Sequence, residues 1–328
     1  MKKFIIPIIA LCLVAVAVII STVKYFDKGG LSKVRIAEVT HSVFYAPLYV
    51  AIEEGYFESE GINVELILTP GADKVAAAVL SGDVEVGFAG VESAIYVYAG
   101  GEKNYLETFC GLTKRDGQFI VSRMNISNFK LEDMIGKEVL AGRVGGMPIL
   151  NFLNALKNQN VDENKININT SIDFAALSGT FIGGNGDFVN LYEPLATKME
   201  VEGYGYVVAS IGTYSGEVPY TAFYARKNYL SDNKDLMISF TNAIAKGLEY
   251  VKNNDAKTIA NAILKQFSDN SLNDLTKMIK RYQDADSWFA TPFIPQNSFD
   301  NIVDIMMDAK LIENNIPYNK LINNLYEK

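Results

Sequence analysis

The feature that most constrains this chain is a threefold alternation of apolar and helix-forming segments within residues 33–101. Strands are predicted at 34–39, 62–68 and 84–89, and a helix is predicted after each of them. Strands and helices that alternate at this spacing form a parallel sheet covered by helices. Ligands bind outside the carboxyl ends of the strands in such sheets, so the loops that follow the three strands are expected to line one cleft.

The rest of the chain predicts a second α/β lobe inserted into the first. A polar segment at 113–117 is the predicted first crossing between the lobes, and residues 219–225 are the predicted return crossing. We therefore expect lobe 1 to comprise residues 33–112 and 220–328, and lobe 2 to comprise residues 113–219. Amphipathic helices follow the return crossing and are expected to pack on lobe 1.

Residues 1–32 are expected to form a membrane-directed helix followed by a tether. Lys2 and Lys3 precede an uncharged run at 4–23, which is at the upper limit for a secretory signal and long enough to span a bilayer. No convincing cleavage site follows, and the bulky Leu11 before Cys12 argues against lipidation of that cysteine. The sequence therefore predicts an extracytoplasmic protein held by an uncleaved anchor. Secretion after cleavage is the alternative.

Composition and motifs exclude several classes of function. The formal net charge of −8 and the pI near 4.9 argue against nucleic-acid binding, which requires basic clusters. The chain has one histidine and lacks the common catalytic, zinc-protease and phosphate-loop motifs, so neither catalysis nor a resident metal or cofactor is expected. With two cysteines, of which Cys12 lies in the apolar N-terminal run, a disulfide within the folded lobes is not expected either.

Five runs of the sequence resemble the ABC-transporter substrate-binding proteins of the group that covers sulfonate, nitrate, taurine and thiamine-pyrimidine precursors. The runs are APLYVAIEEGYFESEGINVEL at 46–66, SGDVEVGFAG at 81–90, GKEVLAGRVGG at 136–146, GGNGDFVNLYEP at 183–194 and SGEVPYTAFYARKNYL at 215–230. The resemblance implies the type II periplasmic binding protein fold, with a ligand cleft between two α/β lobes. It also implies a two-stranded hinge between the lobes, which would let the cleft close on a ligand. It further implies a monomer that delivers a small molecule to an ABC permease and its ATPase without making or breaking a bond.

Two alternatives from other functional classes stay open at this point. The first is an enzyme similar to the pyrimidine synthases of thiamine biosynthesis, which belong to the same group. Those enzymes consume a histidine and use iron and a cysteine-rich segment, and that segment is missing here. The second is a ligand-sensing module that acts on a membrane signalling partner.

The ligand that the resemblance favours is an aminopyrimidine of the thiamine-precursor type, and an aliphatic sulfonate is the second candidate. In the related precursor binders, a pattern like Tyr192-Glu193 places an aromatic ring against the pyrimidine and a carboxylate on its amino group. Both interactions are physically sound, although Glu193 could instead be an acid that stabilises the first turn of a helix. Arg143 is the main cationic candidate for a sulfonate.

The candidate ligand-binding residues lie in the loops after predicted strands. They are Thr40, His41, Ser42, Phe44 and Tyr45 after the first strand, Gly71 and Asp73 after the second, Gly90, Glu92 and Ser93 after the third, and Arg143, Gly145, Gly146, Met147, Tyr192 and Glu193 in lobe 2. The glycines before Met147 leave backbone N–H groups free at a predicted helix start, where they can bind anions or carbonyl groups. Metal binding by His41 is not expected, because no second ligand accompanies it.

Overall fold

The computed structural model describes residues 30–326, which form two α/β lobes. Within this range the strands are β1 (Ser32–Glu38), β2 (Ile62–Leu68), β3 (Val86–Gly90), β4 (Leu106–Thr113), β5 (Phe119–Ser122), β6 (Glu138–Leu140), β7 (Asn167–Asn169), β8 (Phe188–Leu191), β9 (Tyr206–Ser210) and β10 (Thr221–Arg226). The α-helices are α1 (Ala46–Glu53), α2 (Tyr56–Ser59), α3 (Ala72–Ser81), α4 (Glu92–Ala99), α5 (Met147–Asn158), α6 (Leu177–Ile182), α7 (Leu195–Val201), α8 (Ile211–Ser215), α9 (Lys227–Asp232), α10 (Lys234–Asn253), α11 (Ala256–Ile263), α12 (Leu272–Asp284), α13 (Gln296–Asp308) and α14 (Tyr318–Leu321).

The first sheet contains the three strands that the alternating pattern predicted. Its strand order is β2-β1-β3-β10-β4, and β1 is parallel to both β2 and β3. The predicted parallel arrangement is therefore confirmed for these three strands. β10 is antiparallel to both of its neighbours, β3 and β4, so the complete sheet is mixed.

The predicted return crossing at 219–225 is wrong. Residues 221–226 form β10, which lies inside the first sheet, and the first five of its six residues are buried. A strand that is covered on both faces lacks the alternation of polar and apolar residues that marks a half-exposed strand. The chain crosses back earlier, through residues 211–220, which include α8.

The second sheet has the strand order β7-β6-β8-β5-β9. β6 is parallel to β7 and β8, whereas β5 is antiparallel to β8 and β9. Residues 114–118 connect β4 to β5, and residues 211–220 connect β9 to β10. β4 and β10 are neighbours in the first sheet, and β5 and β9 are neighbours in the second. The two connections between the lobes therefore begin and end on adjacent strands.

The helices after β10 pack on the first lobe, as their apolar stripes predicted. The longest, α10, buries Met237, Phe240, Ile244 and Leu248 on one face and contacts α1 and α2. α11 also contacts α1, and α12 contacts α11 and the turn at Val43–Tyr45. These helices therefore support the loop that follows β1.

One cluster of buried apolar side chains is continuous across both lobes. It contains Phe44 and Phe88 from the first lobe and Leu140, Val189 and Tyr192 from the second. The lobes are thus in direct contact. No helix among residues 30–326 has the length and apolar character needed to cross a membrane. The membrane-directed helix predicted at 4–23 lies outside the described residues.

Candidate ligand-binding site

The loop after β1 brings aromatic side chains to the junction of the lobes. Ser42 caps the short 3-10 turn at Val43–Tyr45 by accepting a hydrogen bond from the Phe44 N–H, and its hydroxyl donates to the Glu193 carbonyl oxygen of lobe 2 (2.8 Å). The Phe44 ring is fully buried, with its centroid 5.8 Å from those of both Tyr192 and Tyr220. The predicted residues Ser42, Phe44 and Tyr192 are therefore brought together.

His41 does not contact this junction, although the sequence placed it among the cleft residues. Its Nδ1 lies 3.3 Å from a Glu38 carboxylate oxygen, and its Nε2 lies 3.0 Å from the Gln266 carbonyl oxygen. The ring also stacks on Phe267, with centroids 4.8 Å apart. Both hydrogen-bond partners carry acceptor oxygens, and this arrangement favours the doubly protonated imidazole. The hydrogen bond to Glu38 raises the pKa of His41 above its ordinary value.

Glu92 lies where the two lobes meet, and within the described part of the chain only one of its carboxylate oxygens is hydrogen-bonded. Its Oε1 accepts a long hydrogen bond (3.4 Å) from the N–H of Met147 in lobe 2. Its Oε2 is buried and accepts no hydrogen bond from the described residues. Burial raises the pKa of the Glu92 carboxyl to about 7, against the opposing effect of its backbone hydrogen bonds. A Cβ on Gly90 would lie 1.9 Å from Oε2, so glycine is needed to accommodate this carboxylate.

Both carboxylate oxygens of Glu193 already accept hydrogen bonds from the chain. Its Oε1 accepts from Arg281 Nη1 (2.8 Å) and from the Thr197 hydroxyl (2.9 Å), and its Oε2 accepts from the Thr197 N–H (2.7 Å). Thr197 lies in the first turn of α7, so the carboxylate stabilises a helix start and pairs with a cation on α12. This geometry does not support the predicted contact between Glu193 and an amino group. It supports the alternative role at a helix start.

Asp116 is a buried acid that the sequence reasoning missed. Its Oδ1 accepts from the Gln118 N–H (2.7 Å), and its Oδ2 accepts no hydrogen bond from the described residues. Burial raises the pKa of the Asp116 carboxyl to about 8, although the hydrogen bond from Gln118 and the nearby Tyr220 hydroxyl lower it. The hydroxyls of Tyr220 and Tyr192 are hydrogen-bonded to each other. In the sequence, Asp116 belongs to the polar segment predicted as the first crossing. Such a segment is expected to be exposed, and only the fold shows that this aspartate is buried.

The other candidate residues fall into three groups by burial. Tyr45, Ser93 and Met147 are buried, whereas Thr40, Gly71, Gly90, Gly145 and Gly146 are half-buried. Asp73 is exposed, and Arg143 is exposed and pairs with Asp173 (3.4 Å) at the surface. Arg143 is therefore not directed to the lobe junction.

Polar contacts join the lobes on more than one side of the junction. The Tyr96 hydroxyl donates to the Gly145 carbonyl oxygen (2.9 Å), near Glu92. On α12, Arg281 bonds to Glu193 and also to Glu200. At the surface, Lys157 of α5 pairs with Asp308 of α13 (2.5 Å). The lobes are thus in contact at a buried, aromatic-rich junction, which contains two acids that each have an oxygen without a hydrogen bond from the described residues.

Comparison with known proteins places the chain in a family. Residues 43–258 match the family described as NMT1/THI5 like. A relative named as a candidate binding protein, YtlA of Bacillus subtilis strain 168, is 40% identical over 294 residues, which is 89% of this chain and 88% of the relative.

Solved structures share the fold at low sequence identity. The alkanesulfonate-binding protein SsuA of Xanthomonas axonopodis pv. citri superimposes with a TM-score of 0.70 at 13% identity, over 89% of this chain and 98% of that one. The aliphatic sulphonate-binding SsuA of Escherichia coli gives 0.68 at 16%, over 90% and 99%. The nitrate-binding NrtA of Synechocystis PCC 6803 gives 0.60 at 14%, over 76% and 70%. These similarities confirm the two-lobe binding protein fold, and the proteins named here are binding proteins and not enzymes.

Proposed function

We propose that this chain, which belongs to the NMT1/THI5-like family, is the extracytoplasmic substrate-binding component of an ABC importer. It would hold one small solute between its lobes and present the closed form to a membrane permease and its ATPase. The observation that carries this proposal is the junction itself. Two buried acids and a group of aromatic rings lie where the lobes face each other, at a helix start and in segments that follow strands.

Closure would occur by rotation of lobe 2 (113–219) against lobe 1 (33–112 and 220–328). The two connections, 114–118 and 211–220, are the hinge in this proposal, since they join neighbouring strands in both sheets. Two short, parallel connections permit rotation about one axis while they restrict sliding. The cross-lobe hydrogen bonds of Tyr96 and Arg281 would then form only in the closed state.

An aminopyrimidine of the thiamine-precursor type is the first candidate ligand. Aromatic side chains stack on a flat heteroaromatic ring, and carboxylates accept hydrogen bonds from its amino group. In this structure the rings of Phe44, Tyr192 and Tyr220 and the acids Glu92 and Asp116 support that candidate. These acids replace Glu193 as the proposed hydrogen-bond acceptors.

An aliphatic sulfonate is the second candidate, and the ligands named for two structural neighbours favour it. The N-terminus of α5, whose N-cap is Gly146, could supply N–H donors to an anion. The chain would act as a monomer, retained at the membrane by residues 4–23 or released after cleavage.

The proposal is tested by measuring ligand binding and lobe closure on the same full-length protein. Spin labels at Lys74→Cys on α3 and Glu132→Cys in lobe 2, both exposed positions, report the distance between the lobes in a Cys12→Ser background, because Cys110 is buried. We expect a compound from a panel of aminopyrimidines, thiamine, taurine, alkanesulfonates and nitrate to narrow this distance distribution. At 100 times its dissociation constant, the same compound should stabilise the fold by about 2.7 kcal/mol.

A compound that stabilises the protein without changing the distance between the labels would contradict capture by closure. If the protein bound a purified signalling partner but none of the compounds of the panel, the result would favour the sensing module instead.

A further inference from the structure

The start of α5 in lobe 2 contacts one face of α4 in lobe 1. Glu92 and Tyr96 lie four residues apart on α4, so their side chains project from the same face of this helix. The Tyr96 hydroxyl donates to the Gly145 carbonyl oxygen (2.9 Å), and Glu92 Oε1 accepts a hydrogen bond from the Met147 N–H (3.4 Å). The Glu92 carboxylate is therefore held against the first residue of α5.

The N-terminal ends of two helices converge on this carboxylate, since Glu92 and Met147 are the first residues of α4 and α5. Burial raises the pKa of the Glu92 carboxyl to about 7, and the backbone N–H groups of these two residues act in the opposite direction because they stabilise its charged form. The first N–H groups of a helix have no partner within the helix and favour a negative charge. Proteins bind small anions at such positions. Glu92 thus occupies a position suited to an anion.

The second carboxylate oxygen of Glu92 fills a space that a larger residue at position 90 would take. A Cβ added to Gly90 would lie 1.9 Å from Oε2 and 2.6 Å from the carboxylate carbon. Glu92 is 3% exposed, and Oε2 accepts no hydrogen bond from residues 30–326. Glu193 differs, because both of its oxygens accept hydrogen bonds. Glu92 therefore fills the position at the two helix starts without satisfying both of its own oxygens.

The arginine that precedes the start of α5 is directed away from this position. Arg143 is exposed and pairs with Asp173 at the surface (3.4 Å). The phenols of Tyr45 and Tyr96 lie near the carboxylate instead. Burial raises the pKa of both phenols, and the charge of Glu92 adds to this effect, so they supply no positive charge. An anion that entered here would meet the negative charge of Glu92, and Arg143 would not compensate it.

We infer that Glu92 is a specificity-determining residue, because its carboxylate occupies the position in which an anionic solute would meet the start of α5. This inference rests on the proposed function and concerns how the cleft selects its ligand. An anion could reach the α5 N–H groups only by displacing the Glu92 side chain, and it would then lie beside a charge of the same sign. The wild-type cleft therefore rejects sulfonates and nitrate, and removal of this one carboxylate creates an anion site.

The experiment is isothermal titration of the full-length protein in detergent with two probes of similar shape. Ethanesulfonate carries a negative charge, and ethanesulfonamide is its uncharged analogue. We expect no measurable binding of ethanesulfonate to the wild type. Glu92→Ala vacates the position, and Glu92→Gln removes the charge and adds an N–H donor. Each variant should bind ethanesulfonate about tenfold or more above the wild-type detection limit, whereas neither should gain affinity for ethanesulfonamide.

Glu58→Ala is the matched control for the loss of a carboxylate. Glu58 is also a glutamate in the first turn of a helix, α2, but it is exposed. This variant should bind ethanesulfonate no better than the wild type. The thermal midpoint of each variant shows whether it is folded, and Glu92→Gln, which keeps the shape of the side chain, decides the question if Glu92→Ala does not fold.

Three results would overturn the inference. They are binding of ethanesulfonate to the wild type as tight as to the folded Glu92 variants, absence of binding to every folded Glu92 variant, and an equal gain in affinity for ethanesulfonamide. The first result, combined with closure of the spin-labelled lobes on ethanesulfonate, would leave the proposed function standing. If the Glu92 variants gain affinity for ethanesulfonate but no compound of the panel closes the wild-type lobes, the proposed function fails and the anion position at Glu92 stands.

Discussion

The acids near the lobe junction have the same side-chain chemistry but different roles, because each has a different set of neighbours. Glu193 has a cation and a helix start, and Glu38 has an imidazole and a phenol. Glu92 and Asp116 have only partial hydrogen bonding. The position of a carboxylate in the sequence did not distinguish these cases, since Glu38 lies within a predicted strand and the other three lie in the segments that follow predicted strands.

His41 gives a prediction that can be tested directly, because it is the sole histidine of the chain. Glu38 raises its pKa in the folded protein, above the ordinary value of about 6.5. Its stabilising contribution is therefore fully present below about pH 6.5 and is lost as the pH rises through the raised folded value. A titration of its single imidazole signal by NMR should give a midpoint above 6.5.

The variant His41→Gln tests the same coupling between protonation of His41 and the free energy of unfolding. The difference in unfolding free energy between wild type and variant should be largest near pH 6 and should shrink at higher pH. Glu38 on β1 is the charged group that contacts this ring, and Tyr49 lies beside it. An imidazole midpoint at or below 6.5 would show that Glu38 does not hold the proton.

At the scale of elements, the close approach of α10 to α1 positions the loop that carries the site. Pro47 lies in the first turn of α1, where its missing N–H has no partner to lose. Gly247 of α10 faces this turn, and a Cβ there would lie 2.1 Å from the Pro47 carbonyl oxygen. The contact requires glycine, and it fixes the start of the helix that follows Phe44 and Tyr45.

Gly247→Ala should therefore destabilise the protein by about 1–3 kcal/mol, the range for forcing extra volume into a packed contact. Gly179→Ala is the matched control, because Gly179 is an exposed helical glycine, and a Cβ added there would have no neighbouring atom within 4 Å. That substitution should stabilise the protein by roughly 0.5–1 kcal/mol. Both values come from denaturant unfolding, and equal stability of the two variants would contradict the packing argument.

At the scale of the whole molecule, cross-lobe contacts connect parts of the chain that are distant in sequence. Arg281 lies 88 residues after Glu193, and its guanidinium joins α12 of the C-terminal helices to the start of α7 in lobe 2. The Glu193 side chain is 0% exposed in this pair. The contact between the lobes at this point therefore includes a buried carboxylate that is paired with a cation.

Arg281→Met should destabilise the closed protein by about 3–5 kcal/mol, since removal of one partner leaves a buried carboxylate without its cation. Lys280→Met is the control on the same helix, because the Lys280–Asp284 pair is exposed, and its loss should cost at most about 1 kcal/mol. Chemical unfolding measures both. A loss for Arg281→Met no larger than that of the control would mean that Glu193 is satisfied by Thr197 alone.

Local sequence patterns were sufficient to predict the order of most strands and helices, the two-lobe class and the loops that approach the junction. These features depend on periodicity and on turn residues, as in the three strand–helix units and the stripe of α10. The same patterns indicated Glu92 and Phe44 as candidate site residues, and the family resemblance indicated Tyr192. Three features could be found only in the folded structure. The strand Thr221–Arg226 lies in the first sheet, Asp116 is buried, and Arg281 is paired with Glu193. Burial and pairing of this kind depend on contacts between residues far apart in the chain, which no local pattern records.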